Sequence, residues 1–427
     1  MNLASKVFIA LVAALITGLA LNLSGLTESS WVDKNLINGV FYIGGAIFVN
    51  ALKMLIVPLV LFSLIPGILG IGDVRLLGKI GGKSFVLYLA TTAIAITTAI
   101  TFAVIADIGT GLNLPLQEAF EGKQANKSFI EILIGIVPSN IIAAMANAET
   151  LSIIFVSIFF GIALLSEAKK SVELIKIIEQ MNNIVMRMIE MVMFFAPYAV
   201  FCLVAKAIAE LGFDLVLEVA GYFAVIMTAL IFHAFVTQMF LLRALTGLSI
   251  GIFLRKIRNA QLFAFSTSSS AATIPVTLRA VQQRLGVDRA VSSFSVPFGA
   301  TINMDGTAMM QGVATVFIAN LYGVELGLSG YITVIITSVL ASIGTAAVPS
   351  VGLVMLSLVF AQVGLPIEAI GLIIGVDRII DMVRTAVNVT GDTVITTIVA
   401  KSEGKLDITT FNDPNAGEIL EPDINES

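Results

Sequence analysis

One cysteine, one histidine and one tryptophan stand among 427 residues, and only 12% of the side chains are charged. The lone Cys202 excludes an internal disulfide and a cysteine metal cage. So few charges exclude water as the main solvent, because a soluble domain carries roughly a quarter charged residues. The glycines form no phosphate-cradling loop, and serines without a nearby lysine, histidine or aspartate base lack activation as nucleophiles. An enzyme and a nucleic-acid binder are therefore disfavoured, and no cofactor is called for.

What is abundant is hydrocarbon: 57% of the residues are hydrophobic and the mean hydropathy is +0.99. Apolar runs at Val7 to Leu21, Ile47 to Leu69, Ser84 to Ile105, Leu151 to Leu165, Met188 to Ala209 and Val219 to Leu242 are about long enough to cross a ~30 Å bilayer core as helices. Lys6 precedes the first run as in a secretory leader, but no small-residue cleavage site follows, so the run is read as a span. Trp31 reads as an interfacial anchor. His233 lies in an apolar helix with no acid within a turn, which suits packing better than proton relay.

Charge is segregated between the connections. Arg75, Lys79 and Lys83, then Lys169, Lys170 and Lys176, then Arg255, Lys256 and Arg258 mark cytoplasmic loops. Asp107, Glu118, Glu121, Glu131, Glu210, Asp214 and Glu218, diluted by Lys123 and Lys127, suit the outer side. Both termini are then expected inside. The acidic segment from Phe411 to Ser427, with two prolines, is expected to be loosely ordered cytoplasmic chain.

After Gly251 the pattern changes. Phe265 to Val276, FSTSSSAATIPV, and Ala341 to Val351, ASIGTAAVPSV, are small, hydroxyl-bearing and proline-containing, which disfavours continuous spanning helices. They read as the tips of two re-entrant hairpins. Each precedes an apolar helix with a polar cluster, Asn303, Asp305, Gly306 and Thr307 in one case and Asn388, Thr390, Gly391 and Asp392 in the other. Positive-inside reasoning has the first hairpin enter from the cytoplasm and the second from outside, an inverted repeat of the kind that frames a transporter's binding site. The expected fold is all-α and integral to the membrane, with eight transmembrane helices and two re-entrant helical hairpins.

Steps of three, four and seven place Asp377, Asp381, Arg384, Thr385, Asn388 and Asp392 on one stripe of the last helix. Each charge at bilayer depth costs roughly 2.5–3.5 kcal/mol on insertion scales, so the stripe needs partners or a wet cavity. The alternative is that Asp381 and Arg384 only satisfy each other and fix helix packing, but two further carboxylates stay unneutralised beside them. An arginine suits a bidentate grip on a carboxylate and an aspartate suits an ammonium group. Together they point to a zwitterion with an extra carboxylate, an acidic amino acid.

In the run NMDGT, Asn303, Asp305 and Thr307 are two apart, so a regular helix cannot aim all three at one point. Gly306 is expected to permit local unwinding that bares carbonyl oxygens beside the carboxylate. Hard oxygens with little net charge suit a monovalent alkali cation, and Tyr88, Thr91 and Thr92 in the third span offer hydroxyls to complete the set. At the first tip, Ser268, Ser269 and Ser270 offer hydroxyls and amides to a carboxylate.

The motifs SSSAATIPVT, NMDGTA, SIGTAAVP and DMVRTAVNVTGD, in order and over nearly the whole chain, resemble those of the dicarboxylate/amino acid:cation symporters, the family of the glutamate and aspartate transporters and the excitatory amino-acid transporters. The resemblance implies a homotrimer whose subunits each move a transport domain, elevator-like, against a trimerisation scaffold. Residues 1–70 and 130–209 would be scaffold, 84–106 and 215–400 transport domain, and 411–427 a cytoplasmic tail. By this resemblance Arg384 holds the substrate side-chain carboxylate, Asp381 and Asn388 the amino group, with Thr307 and Thr385 assisting. Ser269 and Ser270, with backbone around Ala346, Val348 and Gly352, would hold the α-carboxylate. Co-transported sodium would occupy one site of Gly299, Asn303, Asn388 and Asp392 and another of Tyr88, Thr91, Thr92, Asn303 and Asp305. A third would lie near Thr301, Ser342, Ile343 and Thr345.

Relatives for acidic amino acids often carry an arginine at the first position of the serine tip or just after the aspartate of the last span. Here those positions are Ser268 and Met382, a departure that touches the coupling of gating to the arginine more than the substrate class; Arg378, three residues before Asp381, is the less favoured substitute for that pairing. Intact sodium-site residues argue against a purely proton-driven relative. A C4-dicarboxylate carrier is disfavoured by Asp381, since succinate has no ammonium, and a neutral amino-acid carrier by Arg384. From another class, an ion channel also uses interrupted helices and hydroxyl tips; concentrative uptake separates the two. The expected setting is the inner cell membrane.

Overall fold

In hydrocarbon a backbone satisfies its hydrogen bonds only as helix or closed barrel. The computed structural model describes residues 3–69, 80–110, 134–147, 149–342 and 351–417, and among these there is no strand beyond one bridge between Val287 and Leu406. In chain order the helices are α1 (Leu3–Leu23), a π-helical stretch Val32–Phe41 continued by α2 (Tyr42–Leu69), α3 (Gly82–Ile105), α4 (Ile141–Ala146), α5 (Thr150–Ser166), α6 (Val172–Phe194), α7 (Ala196–Leu211), α8 (Phe213–Phe232) and α9 (Gln238–Thr246). There follow α10 (Ile250–Thr267), α11 (Ser270–Arg279), α12 (Arg289–Ile302), α13 (Asp305–Leu321), α14 (Gly327–Ser342), α15 (Val351–Val363), α16 (Ile370–Ser402) and α17 (Ile408–Asn412).

Among the described residues, four helical stretches suffice by length and composition to cross a membrane: Ser5–Leu23, Val32–Pro66, Gly82–Ile105 and Phe213–Thr246. The run Met188 to Ala209, expected as one straight span, divides at Phe195 into α6 and α7, bent by 50°. Pro197 in the first turn of α7 is the cause, since it has no N–H to give and its ring crowds the carbonyl four residues back. Counted as one bent span, the pair makes five. The 33 residues of α16 reach roughly 50 Å at 1.5 Å per residue, but its aspartates and arginines take it out of the apolar class.

The first hairpin turns where the serine tip was expected. Ser268 adopts φ 51°, Ser269 caps α11 by accepting from the Ala272 N–H, and α10 packs on α11. Pro275 lies inside α11 rather than at the reversal. The second tip falls outside the described residues, and with it Ile343, Thr345, Ala346 and Val348; its flanking helices α14 and α15 pack on each other.

Two sets of helices pack among themselves: α1, α2, α5, α6 and α7 in one, and α3, α10, α12, α13 and α16 in the other. Every residue of α13 from Asp305 to Ala319 and of α16 from Val387 to Ala400 is buried, which makes these the central helices. Between the sets, two glycines of α16 receive leucines. A Cβ on Gly371 would come within 2.9 Å of Leu203, and one on Gly375 within 2.5 Å of Leu11. Beside them is an apolar cavity of about 240 Å³ lined by Leu11, Leu15, Val204, Leu372 and Val376 among others.

The tail does not begin loose at Phe411. That ring is fully buried under the Lys256 ammonium, which donates to the carbonyls of Arg284 (2.6 Å) and Thr410 (2.7 Å). Reciprocal backbone bonds, Asp288 N–H to Lys405 and Asp407 N–H to Gly286, staple this segment to the base of the first hairpin. An aromatic in an acidic stretch finds an apolar seat that composition averaged over the tail conceals.

Candidate functional site

The NMDGT run is where α12 stops and α13 starts. Asn303 (φ −85°, ψ 93°) and Met304 (φ −116°, ψ 45°) are non-helical, and Asp305 opens α13. The interruption therefore lies two residues before Gly306, which is itself helical. Glycine is required there for another reason: a Cβ would stand 2.7 Å from Arg384 Cγ and 2.8 Å from the Arg384 carbonyl oxygen. It lets the two central helices touch at the break.

Around the break a buried polar core converges. Asn303 Nδ2 donates to Asp392 Oδ1 (2.9 Å) and to the Asn388 carbonyl (3.3 Å), while Asn388 Oδ1 accepts from the Gly306 N–H at 2.8 Å. Thr92 Oγ1 donates to Asp305 Oδ1 at 2.8 Å. Tyr88 donates to the Ser295 carbonyl at 3.0 Å, with Ser295 Oγ equally near and Thr396 Oγ1 2.9 Å from that hydroxyl. Among the described residues Asn303 Oδ1 is a buried acceptor without a donor, which suits a cation-facing oxygen. A Cβ on Gly299 would lie 2.5 Å from Asp392 Oδ1 and 2.6 Å from the Tyr88 hydroxyl, so both oxygens lie close against the backbone there.

Arg384 sits one turn further along α16, nearly fully buried. Its Nη2 is 2.5 Å from Asp381 Oδ1 and its Nη1 3.5 Å from Asp377 Oδ1. Arg378, at the edge, is 3.5 Å from the other oxygen of Asp381. A Cβ on Gly352, at the start of α15, would stand 2.7 Å from Arg384 Nη1, so the second hairpin lies directly over the guanidinium. The charges face protein rather than lipid.

The remaining residues singled out from sequence are less convergent. Thr91 and Thr385 spend their hydroxyls on their own helices, on Tyr88 O and Asp381 O. Thr307 is 3.9 Å from Met304 Sδ, whose sulfur also receives Asn388 Nδ2. Thr301 bonds back to Phe298 O, and Ser342 to Val339 O. Ser270 is buried at the start of α11.

Two side chains were missed. His233 Nε2 is 3.1 Å from Asp305 Oδ2, and Gln238 Nε2 is 3.2 Å from the same atom. The absence of an acid within a helical turn hid the contact, because the partner comes from α13. A glutamine buried in an apolar helix was the available signal.

The sequence model described as the sodium:dicarboxylate symporter family matches residues 3–402. The proton/glutamate-aspartate symporter of Escherichia coli (strain K12) is 33% identical over 417 residues, 95% of this chain and 94% of its own. An excitatory amino acid transporter of Caenorhabditis elegans is 32% identical over 397 residues (82% and 78%), and a C4-dicarboxylate transport protein of Bacillus subtilis (strain 168) is 32% identical over 370 (85% and 87%). The break at Asn303, the paired charges of α16 and a match that runs from α1 to the end of α16 agree: this membrane protein belongs to the sodium:dicarboxylate symporter family, which consists of secondary transporters rather than enzymes.

Proposed function

We propose that the chain is a sodium-coupled symporter of acidic amino acids, aspartate or glutamate. The observation that carries this reading is the placement of Arg384 and Asp381, 2.5 Å apart, with Arg384 one helical turn from Asn388 and about two from Asp392. In the proposed exchange, the substrate side-chain carboxylate takes Arg384 and its ammonium takes Asp381. Each in-chain charge trades one partner for another, so neither is left bare in a low-dielectric site, where removing one member of a buried pair costs about 3–5 kcal/mol. Asp381 serves no purpose toward a C4-dicarboxylate, which favours the amino-acid reading over that alternative. Sodium at the Asn303–Asp392 and Thr92–Asp305 oxygens would offset the negative charge there.

The wider reading is a homotrimer in the inner membrane with both termini cytoplasmic. Eight spans and two hairpins would be divided into a scaffold of α1, α2 and α4–α7 and an elevator-like transport body of α3 and α8–α16. Proteoliposomes with an inward sodium gradient are expected to concentrate labelled aspartate or glutamate over serine and succinate. Uptake unchanged when choline replaces sodium refutes the coupling. The Gly299→Ala variant is expected to raise the sodium concentration for half-maximal uptake at least tenfold, because the methyl fills the space beside Asp392 and Tyr88; an unaltered value removes Gly299 from the cation site.

A further inference from the structure

The sixth apolar run is α-helical to Phe232 and again from Gln238, with one π-helical turn, His233–Thr237, between. Single π turns of this kind are rare and occur mostly at functional sites. In a regular helix, residues five apart point to different faces; the i→i+5 turn brings them round to the same one. Here it aims both His233 and Gln238 at Asp305 Oδ2, at 3.1 and 3.2 Å, while Thr92 reaches Oδ1 at 2.8 Å. All four side chains are fully buried.

A carboxylate has about four acceptor directions and no hydrogen to give, so the bond assigns a hydrogen to His233 Nε2. Two donors occupy Oδ2 and one occupies Oδ1. The unspent acceptor direction is therefore on Oδ1, the oxygen that also faces Thr92. Gln238 Nε2 is further anchored to the Val387 carbonyl at 3.3 Å, and a Cβ on Gly391 would lie 2.9 Å from it and 2.6 Å from Asn303 Nδ2. Among the described residues, His233 Nδ1 and Gln238 Oε1 are buried with no hydrogen-bond partner. Half-satisfied buried polar groups need a reason, and holding Asp305 supplies one.

We propose that His233 and Gln238 are positioning residues of the cation site. By saturating Oδ2 they fix the rotation of the Asp305 carboxylate and leave Oδ1 as the oxygen presented to the ion. This rests on the sodium reading above. The assay is thermal unfolding of the purified full-length protein, without amino acid, in sodium chloride mixed with choline chloride at constant ionic strength.

Gln238→Met keeps the reach and loses the donor; it is expected to raise the sodium concentration for half-maximal stabilisation about tenfold, roughly the worth of one hydrogen bond to a charged group. His233→Phe should do the same, and His233→Gln, which keeps an N–H, should stay within about twofold of the unmodified protein. A purely structural role would instead lower the midpoint in choline and leave the sodium dependence in place. Equal half-points for the unmodified protein, Gln238→Met and His233→Phe overturn the proposal, as does identical behaviour of His233→Phe and His233→Gln, a pair that decides the matter if Gln238→Met does not fold. An unmodified protein that sodium does not stabilise at all sinks the sodium reading itself, a separate failure.

Discussion

Arg384→Cys is expected to lower aspartate affinity by more than 100-fold while a neutral amino acid such as serine is still bound. The guanidinium offers two charge-assisted donors, each worth about 1.5–3 kcal/mol to an ionised acceptor, and no neighbouring cation replaces them toward a substrate. Arg378 stays 3.5 Å from Asp381 and limits the cost of leaving that carboxylate behind, so the variant should fold. Asp377, 3.5 Å from Arg384 Nη1, bears the rest. Competition of labelled aspartate by serine and by aspartate reads the outcome, and unchanged aspartate affinity removes Arg384 from its assigned role.

The second large effect is expected from Asp392→Asn. The asparagine oxygen can still accept from Asn303 Nδ2, now 2.9 Å from Asp392 Oδ1, so the bond between α12 and α16 survives and only the charge is lost. In a buried site that charge is the main attraction for a monovalent ion, and about 2 kcal/mol or more of cation affinity goes with it, on the order of 30-fold. Half-maximal sodium for aspartate uptake should rise accordingly, with maximal uptake recovered at high sodium. A sodium dependence matching that of the unmodified protein would place the ion elsewhere.

Much of this was readable before any coordinates. Helical spans announce themselves by apolar length, the stripe on α16 by steps of three, four and seven, and the first reversal by three consecutive serines. Each of those signals lies within one segment. What escaped depended on a second segment: His233 looked unpartnered because its carboxylate is 72 residues away, and a five-residue spacing to Gln238 matches no regular helical face. Gly306 was read as a point of unwinding, whereas its missing Cβ serves the approach of Arg384. Phe411 was averaged into an acidic tail although Lys256, far upstream, provides its cover. The bend at Phe195 was written in the chain as Pro197 but was masked by the uninterrupted hydropathy around it.

The leucines seated on Gly371 and Gly375 have a consequence for motion. Where the two helix sets meet along α16, side-chain methyls rest on bare backbone, and the directional contact across them that is plainly polar, Lys53 with Glu368 at 2.6 Å, is a third or more exposed on both sides. Such a pair is worth about 0–1 kcal/mol, and dispersion lost at one register is regained at the next. Under the elevator-like motion proposed above, a boundary of this kind would act as a greased rail, resisting separation more than translation.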